Sequence, residues 1–395
     1  MNPLGRSAPS RIVLLPAVMA AAPLAAVAVC GAVISPASGA GSVSARLASA
    51  ARSAPAVGTV SAARPSSRAG RGPGLPGASP AGTRVPGAPN CPMFPANNIW
   101  NTDVSRLPAD SHSAAWLRSM NSARTFLHPD FGRNPGRFPY GIPYNIVTST
   151  HPLVPITFQY ASQSDKGPYP FGPGTLIEGG KNAGGDRHAI MVNSGTCTLY
   201  ELWHARYSRS GSTAGSGAIW TLTSNRLRPA GWTSADAAGL PILPGLLNFA
   251  QIQAAVRSGR PITHAIRFTA QSTQSAYLWP ARHAAGAGHN PSLPPMGARF
   301  RLKPSFNVAG FCAGAAPYCA DAKVVLTGMQ HYGLILADNG SNWFFQGSAY
   351  PQWPDALVSL LKQIPARAFE AVNESCLMVS SHSGRARAKP GCPIG

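Results

Sequence analysis

The sequence predicts a mainly β fold with peripheral helices, built as a single β-sandwich or jelly-roll-like domain, with an irregular α+β arrangement as the alternative. Two observations predict it. Short apolar runs of strand length recur between Gly, Pro and Asn turns, and helical periodicity is confined to four stretches; six cysteines (91, 197, 312, 319, 376 and 392) span the same region.

Residues 1–11 carry two positive charges, and 12–34 form an uninterrupted run of apolar and small residues. That layout predicts a secretory signal over 1–40, with an uncleaved membrane anchor as the rival, since about 20 apolar residues can span a bilayer. Residues 41–90 hold almost no large apolar side chain and no periodicity, so they cannot offset the entropy of ordering and are expected to be a disordered Ala/Ser/Pro/Gly/Arg linker. Eight arginines precede Cys91, and no acidic residue precedes Asp103. A globular catalytic or glycan-binding domain then runs over 91–380, followed by a basic tail over 381–395.

Within that domain, strands are expected at 142–148, 154–160, 188–193, 198–205, 218–223, 264–269, 298–302, 334–337 and 343–346, in a mainly antiparallel arrangement. Helices are expected at 113–120, at 249–257 behind Asn248 as cap, at 320–332 closed by Gly333, and at 355–363 after Pro354. An even cysteine set favours disulfides in an oxidising compartment. Cys312 and Cys319 bracket a short loop and are expected to pair. Cys91 is expected to join Cys376 or Cys392, leaving Cys197 for the other.

The chain has 33 Lys and Arg against 13 Asp and Glu, and 25 of the basic residues follow the N-terminal arginines. Acidic partners such as an anionic cell-wall polymer therefore fit. Nucleic acid is excluded as a partner, because no Lys/Arg run interleaves with aromatics and no binding motif is present. A membrane is a partner only if the first segment stays uncleaved. A secreted, extracellular monomer is expected, tethered at the cell surface if the anchor is kept.

The strong signatures of hydrolases, metalloproteases, nucleotide sites and calcium loops are missing. What remains are polar residues set in apolar strand text, which are costly to bury unless paired or used. The first group is Glu178-Gly-Gly, then Asp186-Arg187-His188, then Glu201-Leu-Trp203-His204. A hairpin through the turn at 193–196 would let His188 face Glu201 or His204. The second is His264-Ala-Ile-Arg267 with Arg282-His283, where Arg282 could bind a carboxylate, sulfate or phosphate on a substrate. His-Ala-Ile occurs at both 188 and 264. The third is Asp338-Asn-Gly after an apolar strand, otherwise an ordinary tight turn. A fourth, running from Gly231-Trp232-Thr-Ser234-Ala-Asp236 to Gly245, reads as an N-capped helical turn feeding a rigid loop, with Asp236 structural.

These strings, with Phe94-Pro-Ala-Asn-Asn-Ile-Trp100, Leu127-His-Pro-Asp-Phe-Gly132 and Pro294-Pro-Met-Gly297, resemble a set of uncharacterised secreted proteins of soil bacteria, many of them actinobacteria. The resemblance covers most of 91–379 and implies one exported domain with a common core. It brings no activity, cofactor or site residue.

The residues point to a secreted carbohydrate-active enzyme that cleaves an extracellular or cell-wall polysaccharide, a glycoside hydrolase in preference to a lyase. Asp186 and Glu201 would form the carboxylate pair, with His188 orienting them. His264, Arg282, His283, Trp203 and Asp338 would bind substrate. No cofactor or metal is expected, although a centre on His188, His204 and His264 is the alternative to weigh. A noncatalytic glycan- or wall-binding protein is the second hypothesis.

Overall fold

The computed structural model describes residues 83–312 and 316–387. The expected signal, most of the linker and the end of the tail lie outside the described residues. In chain order the strands are β1 (Arg84–Val85), β2 (Ala88–Pro92), β3 (His128–Asp130), β4 (Tyr144–Val147), β5 (Ile156–Phe158), β6 (Ala189–Asn193), β7 (Thr198–Trp203), β8 (Ser212–Ala214), β9 (Ser216–Thr221), β10 (Ile266–Ala270), β11 (Arg299–Leu302), β12 (Leu334–Asn339), β13 (Phe344–Gln346) and β14 (Phe369–Val372). Four short helices accompany them: α1 (Ser113–Ser119), α2 (Phe249–Ser258), α3 (Cys319–His331) and α4 (Asp355–Leu361).

The fold is mainly β with peripheral helices. A six-stranded sheet runs β14-β11-β12-β10-β13-β3, a four-stranded sheet runs β4-β6-β7-β9, and β1-β2 and β5-β8 form small ribbons. The expected antiparallel arrangement needs correction, because β10/β12, β13/β3, β4/β6 and β5/β8 are parallel pairs. Their partners are far apart in sequence, so no hairpin turn betrays them.

β6 is buried along its whole length. Ile190 and Val192 enter the main core, while Ala189 and Met191 enter a second cluster with Tyr169, Phe171 and Leu202. A strand covered on both faces has no polar side, which explains its continuous apolar text. β10 alternates instead: Ile266, Phe268 and Ala270 lie in the core, and Arg267 and Thr269 point the other way. Phe268 packs against Phe300 and Trp343, and the Trp343 indole donates to the Met120 carbonyl at 3.0 Å.

Helix α2 begins and ends where its caps dictate. Asn248 accepts the Ala250 amide at 2.9 Å, and α2 closes on Gly259 with φ 62°. After α3, Gly333 at φ 65° turns directly into β12, with the Phe300 carbonyl 2.4 Å from where a Cβ would stand. Only glycine fits there.

Both ends of the domain extend past the expected boundaries. Val85 and Ala88, placed in the linker by sequence, are buried in the main core, as is Ala386 of the tail. Cys312 pairs with Cys319 as expected. Cys91 pairs with Cys197 rather than with a C-terminal cysteine, across 106 residues. In the chain-entropy account, closing a loop of that size stabilises by about 4–5 kcal/mol. Cys376 is disulfide-bonded as well. These bonds suit an oxidising environment. Among the described residues, no helix is long and apolar enough to cross a membrane.

Candidate active site

The polar face of the six-stranded sheet forms the floor of the site. Arg267 and Thr269 of β10, Gln346 of β13 and Asp130 of β3 all line a cavity of about 120 Å³. Gln346 stands opposite Asp130 in register and donates to it at 3.1 Å. β12 contributes through a bulge: Phe268 pairs with Leu336 but Thr269 pairs with Asp338, leaving Ala337 as the extra residue. Bulges re-aim side chains. Here an apolar strand ends with a carboxylate turned onto the polar face.

The loop 233–238 joins the two sheets over this floor. Ser216 of β9 donates to the Ser234 carbonyl at 2.6 Å, and the His188 Nε2 lies 3.1 Å from the Ala235 carbonyl. On the other side, the Ala238 amide donates to Ala337 in the bulge at 2.9 Å. No helix forms here, contrary to the expected helical turn. Ser234 instead accepts the Asp236 amide and donates to the Asp236 and Leu240 carbonyls, tightening the loop on itself.

Asp236, fully buried, is gripped at both oxygens by Arg267, with Nε at 2.9 Å and Nη2 at 2.6 Å. Arg267 also lies 3.7 Å from Asp338. Asp338 is hydrogen-bonded to Asp236, and a bond between two carboxyl groups requires a shared proton. Burial first, then the Asp236 charge and that hydrogen bond, push Asp338 up to about 8, overcoming the opposing pull of Arg267 and His188. Its side chain still keeps 26% of its surface exposed.

Asp338, Asp186 and Asn339 are shared with an adjoining cavity of about 350 Å³. Asp186 is exposed and accepts the Trp203 indole N–H at 3.1 Å. Trp203 and Tyr160, with ring centroids 6.2 Å apart, stand on the rim, and Tyr160 is 45% exposed. His283 lines the same cavity, its Nδ1 2.8 Å from the Ala237 carbonyl.

His188 belongs to the smaller cavity, but its partner is neither Glu201 nor His204, as the hairpin had led us to expect. Glu178 meets its Nδ1 at 2.6 Å. Burial would push His188 down; the Glu178 charge and hydrogen bond outweigh it and raise the imidazole to about 9. Burial would raise Glu178 in turn, and His188 holds it below the usual carboxylate range. The lead-in residue Arg187 sits at φ 50°, held by Nε–H to the Ala205 carbonyl at 3.1 Å, so Asp186 and His188 diverge from a fixed point.

Three expected site residues lie elsewhere. Glu201 is sealed in the core on the face that carries Ile190 and Ala218. Its carboxylate accepts the Ile242 amide at 2.9 Å and the Leu243 amide at 2.9 Å, and it lines neither cavity. Burial pushes it up to about 7 against those two donors. The anticipated Asp186–Glu201 pair therefore does not share a cavity. His264 is likewise sealed, its Nδ1 2.8 Å from the Ala265 carbonyl. Arg282 faces a separate cavity, because its N–H groups reach the Arg228 carbonyl at 2.8 Å and the Ser381 carbonyl at 2.6 Å.

With separate partners for His188, His204 and His264, the imidazoles do not converge. Among the described residues, no group of three or more His, Cys, Asp or Glu is arranged to hold a metal ion. Sequence reasoning named Glu178 and Arg267 within its polar groups without giving them a role, set Asp236 aside as structural, and missed Asp130 and Tyr160 as members of the site. Asp236 and Arg267 had one usable signal: each is a charge in apolar text with no local partner, so each had to find the other.

Fold and site together define a mainly β protein with a carboxylate-lined cleft at the join of two mixed sheets. No protein-family model matches the chain, and neither a curated protein nor a solved structure matches it.

Proposed function

We propose that this is a secreted carbohydrate-active enzyme of the glycoside-hydrolase type, with Asp338 as proton donor and Asp186 as the partner carboxylate. One observation carries this: two carboxyl groups in unlike environments open on a single aromatic-rimmed cavity. Glycosidic cleavage needs a carboxylic acid still protonated near neutral pH to deliver a proton to the leaving oxygen, and a second carboxylate to act as base or nucleophile. Asp338, raised to about 8 beside Asp236, meets the first requirement. Asp186, exposed and oriented by Trp203, meets the second. A separation of about 5–5.5 Å would make Asp186 a nucleophile, and about 6.5–9.5 Å would leave room for a water it activates.

The supporting groups have separable roles. Tyr160 and Trp203 offer ring faces on which sugars stack. The Arg267–Asp236 pair fixes Asp338, and the Glu178–His188 pair lines the smaller adjoining cavity. Elimination from a uronic acid would need a cation free to neutralise the sugar carboxylate. Arg267 is committed to Asp236, and Arg282 faces another cavity, which favours hydrolysis over lysis. The disulfides and the expected signal support export.

The exposed Tyr160 beside Trp203 also suits a noncatalytic glycan-binding protein. A polysaccharide panel read for reducing ends and for unsaturated-sugar absorbance separates the two. The hydrolase proposal expects reducing ends from at least one polymer, lost in Asp338→Asn and Asp186→Asn proteins of verified fold. Binding without new ends, or unchanged turnover in both variants, would overturn it.

A further inference from the structure

The two cavities of the carboxylate cleft meet at Asp186, Asp338 and Asn339, which line both. Tyr160 and Trp203 line the larger cavity alone, and Phe344 lines the smaller one alone. The carboxylates therefore stand at a junction, with an aromatic side chain on either hand.

The second aromatic group follows from strand register. Phe344 and Gln346 are two residues apart on β13 and share one face of the sheet, while Phe345 between them enters the core. They pair with His128 and Asp130 of β3, so the row of the floor beyond Gln346 and Asp130 is Phe344 beside His128. Their rings stack, with centroids 3.9 Å apart and planes 13° from parallel. His128 thus backs one face of the Phe344 ring, and both residues are only half-buried. Around them Gly340 and Ser341 are exposed, as is Tyr140, whose hydroxyl donates to Asp130. This end of the cleft opens to solvent, as the Tyr160 end does.

We infer that the cleft holds sugar rings on both sides of the carboxylates, with Phe344 as the stacking platform of the second side, so that the enzyme cuts within a polysaccharide chain and not at its end. An enzyme that trims terminal sugars needs a barrier just past its carboxylates. Here the floor runs on to a flat ring and then to solvent. Sugars present apolar C–H faces that pack on aromatic rings, and hydroxyls at their edges that both accept and donate. On the Phe344 side, Glu178, whose side chain keeps 29% of its surface exposed, and the exposed Asn339 and Ser341 offer partners to those hydroxyls. The inference rests on the hydrolase reading and adds the mode of attack to it.

The test follows viscosity and reducing ends together while the full chain acts on a panel of hydroxyethyl cellulose, arabinoxylan and glycol chitin. Cleavage within the chain is expected to collapse the viscosity while few new ends have formed. Phe344→Leu keeps the apolar bulk and loses the flat face, so KM for the cleaved polymer should rise about tenfold with kcat unchanged, because lost uniform binding raises KM alone. Phe344→Tyr keeps the ring and should behave as wild type. Release of mono- or disaccharides at unchanged viscosity, or a wild-type KM in Phe344→Leu, overturns the inference and leaves the hydrolase reading in place. Reducing ends from no polymer of the panel would remove the hydrolase reading and the inference with it. Viscosity is read on the wild-type chain, so it decides the matter even if Phe344→Leu fails to fold.

Discussion

His188 and His264 open the same tripeptide, His-Ala-Ile, at the lead-in to two buried strands, yet they end in opposite settings. His188 meets a carboxylate and faces a cavity; His264 meets a backbone carbonyl and faces none. Two carboxylates repeat the contrast. Glu201 is closed over by the amides of Ile242 and Leu243, and Asp338 is turned by a bulge onto a polar floor and left partly open. In each pair the strand's own text is alike. The difference lies in the loop that crosses it: residues 242–243 arrive with free N–H groups and satisfy a carboxylate, whereas 233–238 arrive with a second carboxylate and force a proton onto the first.

The contrast is sharpest in the rate of the proposed reaction. Asp338→Asn removes a general acid while keeping the size of the side chain, and general acids contribute about 10²–10⁴ in rate. Loss of kcat on that scale with an unchanged melting transition is expected, whereas Glu201→Gln should change kcat by no more than a few-fold. The wild-type rate should also fall as pH rises through about 8, where Asp338 loses its proton. If Glu201→Gln abolishes turnover in a folded protein, the division between sealed and open carboxylates is broken.

Next in size is Asp236→Ala. Removing one member of a buried ion pair strands the other, at about 3–5 kcal/mol. Arg267, almost fully buried, would be left with Asp338 at 3.7 Å as its remaining partner. The denaturation midpoint should drop accordingly. Asp338 would also lose the neighbouring charge that helps hold its proton, so the alkaline limb of the rate profile should move to lower pH. A midpoint that drops while the limb stays put would mean that Asp236 supports the fold but does not tune Asp338.

These contrasts mark what could be read from the sequence. The strands around 188–193, 198–205, 264–269 and 334–337, and all four helices, were legible because periodicity and caps such as Asn248 are local. Asp186, Trp203 and Asp338 were legible as polar or aromatic residues at the ends of apolar runs. The parallel pairings were not, since register between distant strands leaves no local trace. Nor was the fate of Glu201, decided by two amides 41 and 42 residues further along the chain. The short strands β3, β8 and β14, of three, three and four residues, fall below the length at which alternation can be recognised. The Cys91–Cys197 bond overturned an expectation drawn from the ends of the domain, because β2 lies near the β6–β7 turn, where the Cys91 Sγ also reaches the Ser194 carbonyl at 3.5 Å.

Glu201→Gln gives the third effect, on stability. The carboxylate offers acceptors to two amides, and an amide side chain keeps one acceptor and adds a donor facing those N–H groups. An unsatisfied buried group costs about 1–3 kcal/mol, which chemical denaturation would resolve. Because burial raises Glu201 to about 7 in the folded state, wild-type stability rises as pH falls from about 7 toward the unfolded value near 4.5, so the deficit of Glu201→Gln relative to wild type should grow over that window.

The smallest effect returns to the two histidines and has opposite signs. His188 is raised in the folded state to about 9, so its contribution to stability is complete below the unfolded value near 6.5 and is lost as pH rises through 9. Burial, ahead of the backbone carbonyls that oppose it, lowers His264 instead, so the folded state binds fewer protons than the unfolded chain and stability falls as pH drops below about 6.5. Either group changes stability by at most about 1.4 kcal/mol per pH unit. Denaturation midpoints of wild type, His188→Gln and His264→Gln between pH 5 and pH 9 isolate each term. His188→Gln should remove part of the alkaline decline and His264→Gln part of the acidic one. Should both substitutions flatten the same side of the profile, the two imidazoles share one environment, and the distinction between the open and the sealed His-Ala-Ile is lost.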